Sequence, residues 1–142
     1  MPCHYVIDKE QRLVISTGVG VVTFGEMKAH QDQLLRDPDF NPEFNQLIDA
    51  TEVTAAKLWR GEAQEITHRN IFSVKSRRAL VATKPAIFGM GRLLMTYLEM
   101  SDSPSQTNVF HDVPSALKWL GAEAAGAPMK GQDAKKANKA GK

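Results

Sequence analysis

Apolar and polar residues alternate along the chain in blocks, and each block has the period of either a strand or a helix. Residues 4–8 form a short run, and residues 12–17 alternate with the two-residue period of a strand. The polar turn between them, residues 9–11, predicts a hairpin. Gly18 and Gly20 then interrupt the pattern, as a bulge or a close backbone approach would require. The first 22 residues are therefore expected to form two or three strands, including an N-terminal hairpin.

A helix is predicted to follow this hairpin. Thr23 and Glu26 have the spacing of a capping box, in which a hydroxyl and a carboxylate bond to each other's backbone N–H groups. The helix is expected to end near Arg36, because the Asp37-Pro38 pair does not continue it. Its inward-facing residues are predicted to be Met27, Leu34 and Leu35.

Three more pairs of a strand and a helix are predicted after this helix. The first pair consists of a buried strand at residues 44–50 and a helix over residues 54–73, which Gly61 divides into two pieces. The second pair consists of a strand at residues 77–83 and a helix that begins at Lys84-Pro85, where proline suits the first turn. The continuous apolar character in the middle of that strand predicts a central position in the sheet.

The last pair lies in the segment NVFHDVPSALKWLG, residues 108–121. A short apolar strand runs into His111. The helix after it has Asp112 as its N-cap and Pro114 in its first turn, and it stops at Gly121. This unit predicts the end of the folded domain.

The order of these elements predicts the fold class. Strands that alternate with helices require crossover connections, and crossovers produce a largely parallel sheet, to which the N-terminal hairpin adds an antiparallel edge. The chain has 142 residues, of which 42% are apolar and 24% charged, and these values suit one globular domain. We therefore predict a single-domain mixed-sheet α/β fold with about four helices over residues 1–121.

Residues 122–142 differ in composition from this predicted domain. They are rich in Ala, Gly and Lys and include only Met129 as a large apolar residue, which predicts a disordered tail. Five lysines in the tail stand against Glu123 and Asp133, so the net charge of +2 arises there. The lysines could neutralise phosphates, but they are sparse. We therefore favour a solubilising end and expect no specific binding of nucleic acid.

The cysteine count and the hydropathy pattern predict a cytoplasmic protein. Cys3 is the only cysteine, which excludes an intrachain disulfide and a cysteine-rich zinc site. Polar and charged residues between positions 4 and 10 interrupt any apolar stretch of a signal peptide. No run approaches the roughly 18 apolar residues of a membrane span, so none is expected.

Other reactive or charged side chains predict no further site. The four histidines lack the spacing of metal ligands, and no activating base can be identified for Cys3. Arg77 and Arg78 are neighbours in a predicted strand and should point to opposite faces of the sheet, so they form no basic patch. We expect neither a metal nor a cofactor.

Four features together resemble a known family. They are the entry into the first helix at residues 18–26, the segment DPDFNPEFNQLIDAT at 37–51, the strand and glycine-bearing helix at 78–97, and the terminal FHDVPSALKWL. With these features the chain resembles the SpoIIAA-like family, which has the STAS-type fold of sulfate transporters and anti-sigma-factor antagonists and is often grouped with lipid-binding Sec14-like proteins. The resemblance covers nearly all of residues 1–121 and implies a STAS-like fold in a cytoplasmic bacterial protein.

The chain departs from this pattern at one functional position. Anti-sigma-factor antagonists have a phosphorylatable serine in an Asp-Ser-Ser-type loop at the start of the helix after the middle strand. The corresponding loop here is expected at residues 49–54, which read DATEVT. Thr51 and Thr54 supply hydroxyls without that motif, so the resemblance does not carry phosphorylation over to either threonine.

Polar residues at the predicted ends of the strands form one candidate site. Parallel strands bring their C-terminal ends to a single edge, where ligands usually bind, and an acid, hydroxyls, a cation and an imidazole there could bind a small anion or transfer protons. The same residue types also serve as helix caps and loop residues, and no two of them have a recognised catalytic spacing. We favour that structural interpretation and predict no catalytic residue. The candidates are Asp49, Thr51, Thr83, Lys84 and His111.

Gly89 and Gly91 form a second candidate site within the third predicted helix. Each glycine inside a helix costs about 1 kcal/mol relative to alanine, so two of them indicate a compensating close contact. The contact could be a backbone surface for a ligand or partner helix, with Arg92 beside it to bind an anion. It could equally be tight packing of the helix on the sheet, and the sequence leaves both interpretations open.

The resemblance and the lack of a catalytic set predict a non-enzymatic regulatory or protein-interaction module. It is expected to bind a ligand or partner through the C-terminal edge of the strands and the second and third helices. The alternative is a small-ligand or lipid-binding domain, suggested by Gly89, Gly91 and the methionines around them. An enzyme ranks third, and His111 within hydrogen-bond reach of Asp49 or Asp112, facing a cleft, would favour it. The expected partner is a protein or a small apolar or anionic ligand, and helix faces with Met and Tyr make a homodimer plausible.

Overall fold

The computed structural model describes residues 3–102 and 104–122, which form five strands and four helices. The tail predicted for residues 122–142 lies outside this range except for Ala122. The strands are β1 (Cys3–Asp8), β2 (Leu13–Thr23), β3 (Asn45–Lys57), β4 (Arg77–Val81) and β5 (Gln106–Phe110). The helices are α1 (Phe24–Arg36), α2 (Arg60–His68), α3 (Pro85–Glu99) and α4 (Val113–Leu120).

The five strands form one mixed sheet in the order of the chain, β1-β2-β3-β4-β5. β1 pairs with β2 in antiparallel fashion, and every later pair is parallel. This topology confirms the predicted fold class. The residues of α1, α2 and α3 pack on one face of the sheet and those of α4 on the other. Right-handed crossovers that each move one strand in the same direction would produce this arrangement.

The face covered by α4 has a closed apolar core. Ala116, Leu117 and Leu120 of the helix are buried against the sheet. The strand residues beneath them are Leu13, Ile15, Leu47, Ala79 and Val81. Each of these eight side chains is at most 6% exposed, so this face of the sheet is filled.

The opposite face contains two separate apolar clusters. Val14, Leu34, Phe44 and Phe72 form one of them. The other joins residues of β2, β3, β4 and α3, including Val22, Val53, Leu80, Ile87 and Met95. Residues from both clusters line a cavity.

Local sequence signals set the ends of α1 and α4 as predicted. Thr23 Oγ1 accepts the backbone N–H of Glu26 at 3.3 Å, and Glu26 Oε1 accepts that of Thr23 at 2.8 Å, which confirms the capping box. Asp112 Oδ1 accepts the N–H of Ser115 at 2.8 Å, and Gly121 has the left-handed φ of 77° that favours glycine. Leu35 is 54% exposed, so its predicted inward position is wrong.

The largest error of the sequence prediction concerns β3, which continues to Lys57 where a helix was predicted from residue 54. The reason is tertiary: the long β2 provides a partner for the whole segment, and Val21 and Val22 pair with Ala55 and Ala56. Two register shifts insert extra residues into β3. Strand pairing overrides the helical propensity of the alanines. As a result α2 is a short helix, Arg60–His68.

Candidate functional site

The structure brings three of the predicted strand-end residues together. The backbone N–H and the hydroxyl of Thr51 both donate to Asp49 Oδ1, at 3.0 and 2.7 Å. Lys84 Nζ donates to the Thr51 carbonyl at 3.0 Å. The comparison with the Asp-Ser-Ser-type loop predicted a loop at residues 49–54. This prediction is wrong, because β3 continues past Thr51 and Asp49 and Thr51 lie within the strand. Their polar atoms bond mainly to one another.

The other candidates lie outside this group. Within the described part of the chain, no hydrogen bond or ion pair joins Thr83, Arg92 or His111 to it, and His111 makes no hydrogen bond to Asp112. The His111 ring instead stacks on Phe88, with ring centroids 4.2 Å apart and planes 5° from parallel. Thr83, Arg92 and His111 are all exposed.

The two helix glycines have different surroundings. A Cβ atom on Gly91 would lie 2.8 Å from Leu80 Cδ2, so α3 packs tightly on the sheet there. Gly91 also lines the cavity. A Cβ on Gly89 would have no heavy atom within 4 Å beyond its chain neighbours and helix backbone, and Gly89 is exposed. The close contact that the sequence predicted therefore exists at Gly91 alone of the pair.

A cavity of about 170 Å³ lies between the sheet and α1, α2 and α3. Its strand side includes small residues such as Gly18, Ala50 and Ala56, and Gly91 adds a position without a side chain on α3. The short α2 contributes Ile66 and Thr67. Most of the lining is apolar and includes Val22, Ile48, Val53, Leu80, Leu94 and Met95.

Polar residues from four elements form a connected row at this cavity. Arg78 Nε donates to Gln46 Oε1 at 2.9 Å, and Gln46 Nε2 donates to Ser16 Oγ at 3.0 Å. Ser16 Oγ is in turn 2.9 Å from Nε2 of His30 in α1. The row follows the strand register, because Gln46 and Arg78 are direct partners across β3 and β4.

Arg78 is the charged end of this row. Its Nη1 donates to Asn70 Oδ1 at 2.9 Å, and its Cζ lies 4.7 Å from the centre of the Phe72 ring, a cation–π geometry. Burial lowers the pKa of Arg78 to about 10, so the guanidinium remains charged at neutral pH. The side chain is only partly accessible, and it lines the cavity.

His30 lies at the neutral end of the row. Burial, and then the charges of His4 and Arg78, lower the pKa of His30 to about 4. The ring is therefore neutral at pH 7. Its Nδ1 atom is buried with no hydrogen-bond partner among the described residues, and the same holds for Oε1 of Gln31, another residue of the cavity lining.

This row was not predicted as a site from the sequence, although the opposite orientations of Arg77 and Arg78 were predicted correctly. Arg77 Nη1 donates to the Trp119 carbonyl at 2.7 Å on the α4 side of the sheet. A usable signal was present: Ser16, Gln46 and Arg78 are polar residues at positions where strand alternation places side chains toward α1–α3.

Cys3 also lines the cavity, from β1, where it pairs with Gly18. Burial, followed by the charge of Glu26, raises the pKa of the Cys3 thiol. The thiol is therefore protonated at neutral pH, which makes it a weak nucleophile. Among residues 3–102 and 104–122, no group of three or more His, Cys, Asp or Glu side chains is arranged to hold a metal ion.

Comparison with known proteins identifies the fold. No family model matches the chain. No curated protein matches it either. A crystal structure from Shewanella loihica PV-4, described as an uncharacterised protein of the DUF3478 family with a SpoIIAA-like fold, matches with a TM-score of 0.55 and 22% sequence identity. The match covers 83% of this chain and 93% of that one, so the chain has a SpoIIAA-like fold, as the resemblance predicted.

None of the helices formed by the described residues combines the length and the apolar character that a membrane span needs.

Proposed function

We propose that this protein is a non-enzymatic binding module that holds a small, mostly apolar ligand in the cavity between the sheet and α1–α3. The cavity itself is the observation that carries the proposal, with a volume of about 170 Å³ and a largely apolar lining. An apolar cavity of about 150 Å³ is large enough to bind benzene. We therefore favour the cavity as the binding site over the C-terminal edge of the strands that was expected from the sequence.

The energetics of packing support this proposal. Protein interiors are normally close-packed, whereas this face of the sheet leaves a concave volume that opens to solvent. Its lining is mostly apolar, and burial of apolar surface contributes about 25 cal/mol per Å². A ligand that covers this lining would therefore stabilise the folded protein.

The geometry of Ser16 and His30 supports binding over catalysis. Their 2.9 Å contact has the spacing of a nucleophile and its general base. A general base works best with a pKa near the operating pH, however, and that of His30 is about 4. Ser16 is also only 5% exposed, and no carboxylate among the described residues bonds to His30 Nδ1 to orient the ring.

Thermal unfolding with small apolar probes tests the proposal. We expect toluene and 1-octanol to raise the Tm of the protein by several degrees, because a ligand at 100 times its Kd stabilises the native state by about 2.7 kcal/mol. Ala56→Leu fills part of the cavity and should weaken probe binding at least tenfold. Ala55→Leu is the matched control, since its neighbouring position is outside the lining. Equal probe binding in both variants, or no binding to the wild type, would exclude the cavity as the site.

We also propose that this module acts through contact with another protein, which is the regulatory role expected from the sequence. The supporting observation is Trp59, the N-cap residue of α2, which is 79% exposed. Exposed tryptophan is enriched at protein interfaces. Cross-linking at residue 59 in the native cell extract, with Leu93 as an exposed control position on α3, should capture a partner only at residue 59. Equal capture at both positions would contradict this role.

A further inference from the structure

The cavity contains a cation that forms no ion pair with any carboxylate of the described residues. Among its described lining residues Arg78 is the only one with a permanent charge, and none of them is Asp or Glu. The ion pairs found in residues 3–102 and 104–122 are Lys9–Asp39 and Asp32–Arg69, neither of which includes Arg78. Buried charges in proteins are normally paired, because removal from water is costly.

The hydrogen bonds of Arg78 leave much of its binding capacity unused. A guanidinium has five N–H donors, and Arg78 uses one on Gln46 and one on Asn70. Both acceptors are oxygen atoms of neutral amides, so they orient the group and do not neutralise it. Phe72 supports one face of the guanidinium. The group is therefore held in place before any ligand binds, which lowers the entropy cost of binding.

The surroundings of Arg78 select the charge of a ligand. His30 is neutral, and the positive charge of Arg78 is one of the causes that lower its pKa. A cationic ligand would add a second positive charge to a site without a carboxylate. A neutral ligand would leave the guanidinium uncompensated. An anion would provide the missing counterion, and a carboxylate can accept two parallel N–H bonds from arginine.

We propose that the ligand is an amphiphilic carboxylate, with an apolar body of about six to eight carbon atoms in the cavity and its carboxylate paired with Arg78. This inference rests on the proposed function of the cavity and gives the chemical class of its ligand. The upper size follows from the volume of 170 Å³, slightly more than a benzene-binding cavity requires.

Calorimetric titration with four eight-carbon probes tests the proposal: octanoate, 1-octanol, octylamine and octyl phosphate. For the wild type we expect octanoate to bind at least tenfold more tightly than 1-octanol and octylamine to bind most weakly. In Arg78→Met the preference for octanoate over 1-octanol should disappear while 1-octanol still binds. Ser16→Ala is the control, since it interrupts the polar row but leaves the charge of Arg78, and it should keep the preference.

The outcomes separate this inference from the function on which it rests. If 1-octanol binds the wild type as tightly as octanoate, the carboxylate assignment is wrong but the cavity function stands. Tighter binding of octyl phosphate than of octanoate would also overturn the carboxylate. If no probe binds, the cavity function itself fails.

A second measurement applies if Arg78→Met does not fold. Cys3 is the only cysteine and lines the cavity, so its alkylation rate in the wild type reports occupancy directly. We expect octanoate to slow the alkylation of Cys3 at a concentration at least tenfold lower than 1-octanol does. Equal protection by the two probes would overturn the inference.

Discussion

The two faces of the sheet share the same strands but are filled in different ways. Under α4 the side chains close into a core that leaves no more than 6% of any cluster member exposed. Under α1–α3 the strands carry small and polar residues, and a cavity of about 170 Å³ remains. The same strands therefore pack tightly against α4, and the cavity is confined to the face under α1–α3.

The neighbours Arg77 and Arg78 show what this difference means energetically. Arg77 is exposed at the edge of the α4 face, with its Cζ 5.5 Å from the Trp119 ring. Arg78 lies on the other face, where burial lowers its pKa to about 10 without a carboxylate in the cavity lining to compensate. A charge kept at such a cost beside an open volume is typical of a binding site.

Truncation of two neighbouring side chains in β3 should give the largest contrast between the faces. Leu47 is fully buried under α4, and we expect Leu47→Ala to lower the free energy of unfolding by about 2–5 kcal/mol. Ile48 is only partly buried and borders the cavity, so Ile48→Ala should cost at least about 1 kcal/mol less. Urea unfolding measures both values. Equal losses would mean that the cavity face is packed as well as the other.

Acid should destabilise the cavity face through His30. The pKa of His30 is about 4 in the folded protein and 6.5 without the burial, so the unfolded chain binds the extra proton first as the pH falls. The contribution of His30 to the free energy of unfolding is therefore fully present above pH 6.5. It declines by on the order of 3 kcal/mol as the pH falls to 4. Urea denaturation of the wild type at several pH values between 4 and 6.5 should show a free energy of unfolding that falls with the pH. The His30→Gln variant should show a smaller dependence of this free energy on pH, whereas the exposed control His111→Gln should not. An unchanged dependence in both variants would refute the role of His30 in acid sensitivity.

The two glycines of α3 offer a smaller and more local contrast. Gly91→Ala gains helix propensity but places a methyl group 2.8 Å from Leu80 Cδ2, so we expect a net destabilisation of about 1 kcal/mol. Gly89→Ala meets no neighbouring atom and should stabilise the protein by up to about 1 kcal/mol. Thermal unfolding distinguishes the signs. A stabilising Gly91→Ala would show that α3 is not packed tightly against β4.

The sequence predicted much of the fold because many of its signals are local. The capping box at Thr23 and Glu26 and the cap at Asp112 each depend on residues within three positions of one another. The extension of β3 was missed because Ala55 and Ala56 join a strand only when β2 is there to pair with them. That pairing is a tertiary effect that no local pattern reports.

The cavity was harder to predict than the fold. Its polar row joins Ser16, His30, Gln46 and Arg78, which come from four elements and are separated by up to 62 positions. The opposite orientations of Arg77 and Arg78 follow from strand geometry alone and were predicted correctly. The volume beside Arg78 depends on how far α1 and α3 stand from the sheet, which the sequence pattern does not determine.

Methyl NMR spectroscopy during titration with octanoate tests the central claim most directly, because it observes both faces in one experiment. We predict that the methyl resonances of Leu80 and Met95, which line the cavity, shift with a single binding isotherm, while those of Leu117 and Leu120 under α4 stay in place. Shifts of comparable size on both faces, or none at Leu80 and Met95, would contradict the claim that one face of this sheet is built to hold a ligand.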